Sequence, residues 1–100
     1  MIDIISELQT WYTNTCDGEW EHGSGIRIET LDNPGWSVEI DLRGTALVKM
    51  TFDEIDINRD ESNWIRCRIT DGMFEGFGGS NNLAEVIAIF LSWSGKGNPS

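Results

Sequence analysis

Apolar residues recur at helical spacing at the start of the chain. Ile4, Ile5, Leu8, Trp11 and Tyr12 predict a helix over residues 2–14. Asp3 and Glu7 lie where the helix dipole favours negative charge, and Asn14 to Gly18 ends the pattern. After Gly23 and Gly25 the period becomes two: Ile26 and Ile28 alternate with Arg27 and Glu29 in a first strand. Asn33-Pro34-Gly35 predicts a tight turn, with proline fixing φ at one position and glycine accepting positive φ at the next. In the second strand Trp36, Val38, Ile40 and Leu42 face one way, and Ser37, Glu39, Asp41 and Arg43 the other. Gly44-Thr45 permits another reversal, after which Val48, Met50 and Phe52 alternate with Lys49, Thr51 and Asp53 as a third strand. Residues 54–62 are mostly polar and read as a loop tacked down by Ile55 and Ile57. The fourth strand is 63–70, with Ile65, Cys67 and Ile69 inward, and Met73 to Gly79 reads as a glycine-rich turn. Asn82 with Glu85 three residues later matches a capping box. The helix it opens has Leu83, Val86, Ile87, Phe90 and Leu91 in one stripe. Trp93 closes that stripe, Gly95 and Gly97 stop it, and residues 95–100 are expected to fray.

These elements predict a single α+β domain over residues 1–100, an antiparallel meander of about four strands with N- and C-terminal helices packed on one face. The uncovered face would carry Arg27, Glu29, Glu39, Asp41, Lys49, Asp53, Arg66 and Arg68, whose mixed signs suit cross-strand ion pairs.

Charge changes the picture. Seventeen Asp and Glu against seven Lys and Arg give a net charge of −10, a field that disfavours nucleic acid and anionic membranes and speeds encounter with a basic partner. Such acidity also serves solubility alone. Cys16 and Cys67 are too few and too far apart for a disulfide framework, so both are expected to be reduced, in the cytoplasm. No secretory leader pattern opens the chain, and its longest apolar run, Leu83 to Leu91, is too short to span a bilayer.

The chemistry concentrates in residues 16–36, which hold Trp20, Trp36, the only histidine and five acidic side chains. His22 lies beside Glu21, but a general base also needs a nucleophile or substrate to face, and none is identifiable. Cys16 is followed by Asp17 and Glu19, which oppose a thiolate; Arg66 and Arg68 flank Cys67 but point to the opposite face of a strand. Neither Cys16 with His22 nor the acidic run from Asp53 to Glu61 has metal-ligand spacing, so no metal or cofactor is expected. Gly76-Phe77-Gly78-Gly79 precedes a helix but lacks the Gly-Lys-Ser/Thr ending of a phosphate loop. Recognition remains: rigid aromatic and acidic residues around a hairpin are the kind that anchor protein interfaces. Trp36, in phase with Val38 and Ile40, suits the core instead, and Trp20 and the outward-facing Trp64 suit either core or contact.

Trp11-Tyr12, Cys16-Asp17-Gly18-Glu19-Trp20-Glu21-His22, Gly25-Ile26, Glu29 to Trp36 and Phe74-Glu75-Gly76-Phe77-Gly78-Gly79 together resemble the immunity protein 53 family over most of the chain, from Leu8 to Trp93. The resemblance implies a mostly β protein that neutralises a toxin of a bacterial polymorphic toxin system by stoichiometric occlusion, and it brings no catalytic residues. The expected contacts are Glu19, Trp20, Glu21 and His22, with Asp32 and Asn33 at the hairpin tip and Glu75 as an outlier. The carboxylates would pair with Arg or Lys of a basic toxin, Trp20 would fill a pocket on it, and the chain itself would be a monomer or weak homodimer. The alternatives are a small cytosolic enzyme using His22 or a cysteine, and a structural or regulatory subunit pairing through its exposed sheet.

Overall fold

The computed structural model describes residues 3–95. The first helix, α1, spans Ile4–Thr15, one residue past its expected end. Asp3 caps it, accepting from Ile5 N at 3.2 Å and from Ser6 Oγ at 3.1 Å. Its buried footprint is small. Leu8 is enclosed, Trp11 stacks edge-on against Phe90 at 4.9 Å, and Ile5 and Tyr12 remain exposed.

Strands β1 (Ile26–Leu31) and β2 (Gly35–Asp41) form the expected hairpin. Gly35 serves it differently from expectation. It is not at positive φ but is the first residue of β2, where a Cβ would approach the Gly78 carbonyl oxygen to 2.6 Å. Gly44 does take φ +83 and turns the chain as expected.

Three assignments beyond this point change. Residues 48–53 are not a strand. Ala46–Lys49 form a 3-10 turn, and the next residues run extended without a pairing partner. Alternation survives because Met50 and Phe52 still pack on the core from one side; Phe52 lies edge-on to Phe74 and Trp93 at 5.7 and 5.4 Å. The segment crosses the end of the core, where no strand lies beside it. The supposed loop 54–62 contains β3 (Ile55–Asp60), an edge strand largely open to water, so polarity does not count against it. Asp60 Oδ1 closes its turn by accepting from Ser62 N at 2.9 Å. The supposed glycine turn is β5 (Met73–Gly79), and the actual turn after β4 (Asn63–Thr70) is Asp71-Gly72, both at positive φ as a tight hairpin requires.

The sheet is therefore five-stranded, ordered β1-β2-β5-β4-β3, with antiparallel neighbours throughout. The last strand in sequence is the central one. The C-terminal helix α2 (Leu83–Gly95) crosses this strand, and α1 packs on α2. Gly76 and Gly78 permit the approach: a Cβ on Gly76 would overlap Val86 Cγ1, and one on Gly78 would meet Asn82 Cβ at 3.0 Å. Val38, Ile40, Ile65, Cys67, Phe74, Val86 and Phe90 fill the space between, all with essentially no exposure. Fraying expected at 95–100 falls, from residue 96 on, outside the described residues.

The capping box does not form. Asn82 is buried and its side chain joins α2 to the sheet, accepting from Trp64 N at 3.1 Å and donating to Asn63 Oδ1 and Glu85 Oε1. Glu85 in turn takes both terminal nitrogens of Arg59, at 3.0 and 2.9 Å. Asp41 also departs from the solvated-face expectation, being only 5 % exposed. Burial alone would raise its pKa. Hydrogen bonds from Arg43 Nε at 2.9 Å, N at 3.0 Å and Nη2 at 3.3 Å outweigh that and hold it below the usual carboxylate range.

Two outcomes follow for stability. Gly76→Ala should destabilise by about 1–3 kcal/mol in urea unfolding through overpacking against Val86. Gly95→Ala, whose added Cβ would meet nothing among the described residues, should stay within about 0.5 kcal/mol. Because the folded-state pKa of Asp41 is depressed, its contribution is complete above the unfolded value of about 4 and is lost as pH falls through the folded value. The urea midpoint should drop on acidification below about pH 4, and Asp41→Asn should flatten that drop while lowering the midpoint at pH 7.

Candidate functional site

The motif Cys16 to His22 folds onto itself. Asp17 Oδ1 accepts from Glu19 N and Trp20 N at 2.9 and 3.0 Å, opening the short 3-10 turn Trp20–His22. Glu21 reaches back, its two oxygens accepting from Asp17 N and Gly18 N at 2.9 and 2.8 Å. For Asp17 the amides of Trp20 and Glu19, and for Glu21 backbone amides led by its own, hold the carboxyl below its usual range. These two acids are structural: they supply acceptors to a loop short of backbone partners.

Trp20 corrects the expectation of a partner-facing indole. It is 6 % exposed, its Nε1 donates to the Asp41 carbonyl at 2.9 Å, and it meets Trp11 and Tyr12 edge-on, each at 5.6 Å. A ring with that many internal contacts anchors the loop and is not available to a pocket elsewhere. Glu19 and His22 remain exposed on the loop. Asp32 and Asn33 are exposed at the hairpin tip, but all of β1 separates them from the loop. At ~3.3 Å per residue that is roughly 20 Å. Glu75 sits on the open sheet face, half-buried and bound to Arg68 opposite it at 2.8 Å. The expected residues thus occupy three separate places.

What the fold does bring together is at the β3–β4 side of the open face. The register aligns Glu29, Ser37, Phe77, Arg66 and Asp56 in one row across all five strands. Beyond that row Gly35 and Gly79 offer no side chains, and beside them Trp64 pairs with Asn58. A groove of about 1020 Å³ opens here; Asn33, Asp56, Asp60, Glu61, Trp64 and Arg66 are among its walls. Trp64 is half-buried, and among the described residues its indole N–H has no partner, whereas those of Trp20, Trp36 and Trp93 each bond to a backbone carbonyl. In the sequence the acids from Asp53 to Glu61 read as a solvated loop, since their polarity hides β3. Their place on an edge strand beside an aromatic wall depends on that pairing.

The catalytic alternatives gain little support. His22 is exposed, and its imidazole makes no hydrogen bond or ion pair among the described residues. The Cys67 thiol is pushed up to about 11 by burial, with the charge of Glu85 adding to the effect, so it is protonated at neutral pH. Among the described residues no three potential ligands gather as a metal site, and Gly76 to Gly79 are ladder residues instead of an anion cradle. No helix among the described residues is long and apolar enough to cross a membrane.

Comparison with curated proteins and with solved structures gives no match. The profile of one family, described as immunity protein 53, matches residues 5–95, which include α1, all five strands and α2 almost completely. The motifs around Trp20, the hairpin and β5 all fall inside that span, and the chain belongs to the immunity protein 53 family.

Proposed function

We propose that this protein neutralises a cognate bacterial toxin of a polymorphic toxin system by binding and occluding it in the cytoplasm, with no catalytic step of its own. Family membership supports toxin immunity, and one observation supports the mode of binding: the disposition of the carboxylates. Of the seventeen, Glu29, Asp41, Glu75 and Glu85 are ion-paired with the chain's own arginines, and the other thirteen have no cationic partner among the described residues. A basic toxin, a nuclease cleft for instance, would supply those partners. The same field disfavours nucleic acid, anionic membranes and self-association, so the chain acts as a monomer or weak homodimer.

The contact surface in this reading is acidic and contains a tryptophan, but the tryptophan is Trp64. Asp56, Asp60, Glu61 and Asn33 surround it, Asp32 precedes Asn33 at the exposed hairpin tip, and Glu19 and His22 form an outlying patch. Trp20 and Glu21 act indirectly by shaping the loop that displays Glu19 and His22. Charge sets the speed of capture, and a desolvated indole slows release.

Co-expression with the product of the adjacent toxin gene tests this reading. The two should co-purify, with an association rate that falls at least about ten-fold between low and high salt. Trp64→Ala should raise the dissociation constant about thirty-fold or more, the effect of a hot spot worth about 2 kcal/mol. Absence of any complex, or a measurable turnover abolished by His22→Ala with binding intact, would overturn it.

A further inference from the structure

Two strands lie at the edges of the sheet, β1 and β3, and among the described residues each has backbone N–H and C=O groups without a strand neighbour on one side. They differ in what surrounds them. On β1 the two charged side chains, Arg27 and Glu29, neutralise each other at 3.3 Å. Residues 53–61 carry five carboxylates and one arginine, and that arginine, Arg59, is committed to Glu85 on α2. Arg66 stands opposite Asp56 in the ladder without reaching ion-pair distance, so among the described residues the acids of this segment outnumber the cations free to meet them.

Hollows flank β3 on both faces of the sheet. The groove at Trp64 lies on the open side; on the helix side a second hollow of about 720 Å³ is walled by Met50, Phe52, Glu54, Ile55, Ala88 and Trp93 among others. Ile57, 41 % exposed, shares the helix-side face with Ile55. Side chains of any strand laid along this edge would point alternately to the two faces. Those on the open side would meet Asp56 and, for a long side chain, the face of Trp64, with Asp60 and Glu61 outweighing Arg66 in the same groove, a setting for a cation. Those on the helix side would meet isoleucine and the aromatic rings beneath, in a hollow that Asp53, Glu54 and Glu85 also line.

We propose that the free edge of β3 receives an added strand from a basic partner, with Arg or Lys side chains over the open face and aliphatic ones over the helix face. This rests on the proposed role as a binder of a basic toxin and specifies how the two would join. The register shift between Asn58 and Asp60 breaks the regular edge, so the paired segment is Ile55–Asn58. A second copy of this chain is a poor occupant, because two such edges carry like charge. The acids therefore block self-pairing while leaving the edge open to an oppositely charged strand.

A synthetic probe tests the geometry without the toxin. A capped eight-residue peptide of alternating valine and lysine is compared with one whose two central residues are proline, each added to saturation to the full chain. Amide hydrogen exchange is followed by NMR. The alternating peptide should slow exchange about ten-fold or more at two alternate amides among Ile55–Asn58, leave β1 unchanged, and lose its effect with Asp56→Lys. The proline peptide should protect neither amide. Equal binding of both peptides without protection in β3, or protection of β1 instead, would overturn the proposal. Toxin neutralisation assayed separately keeps the two readings apart: a toxin that is captured while the peptide ignores β3 removes the edge geometry and leaves the inhibitor role standing.

Discussion

The contact between two side-chain-free positions and a helix organises the rest of the molecule. Gly76 and Gly78 lie on the helix-facing side of the central strand, and Val86 occupies the space that their Cβ atoms would need. Close approach of α2 lets Phe74, Phe90, Val38 and Ile40 share one fully buried cluster, and it gives α1 a second helix to lean on when its own buried stripe is narrow. Both helices are thereby held to one face. The other face and the far edge are left to the solvent, and there the chain's unpaired negative charge meets an exposed strand.

Much of this was legible where hydrophobic periodicity was carried by side chains. The stripe from Leu83 to Leu91, the alternation from Trp36 to Leu42 and that from Asn63 to Thr70 each appear in the structure as the element they predict. It failed where glycine replaced the apolar residue. In Met73 to Gly79 the inward positions are Phe74, Gly76 and Gly78, so a period of two was written partly in absent side chains, and a close-packed strand looked like a turn. Asp71-Gly72 just before it was the stronger turn signal. The opposite error at Val48 to Asp53 came from a segment that packs one side on the core but has no strand to pair with; alternation reports one-sided burial and says nothing of a neighbour.

The candidate site shows a similar division. The density of acid and tryptophan around Trp20 was a true signal of something specialised, but its purpose is local: Asp17 and Glu21 satisfy amides, and Trp20 ties the loop to the end of β2. Residues that serve a loop's own backbone and residues that serve a partner look alike in a sequence, since both need polar groups beside a rigid ring. Trp64 falls at an outward position of its strand, but nothing in the sequence places the acids of β3 beside it. Their adjacency arises from pairing between strands and becomes visible only with the register, which sets Asn58 opposite Trp64 and Asp56 opposite Arg66.

A ribosome delivers β5 last among the strands, yet β5 joins β2 to β4. Until it emerges, the β1–β2 hairpin and the β3–β4 pair are disconnected ladders, each with an uncovered oily side, and α2 arrives only afterwards. At about 5–20 residues per second, the interval between finishing β2 and starting β5 lasts a few seconds. No shorter nascent species holds a joined sheet, so the complete fold forms only once β5 and α2 have both left the ribosome.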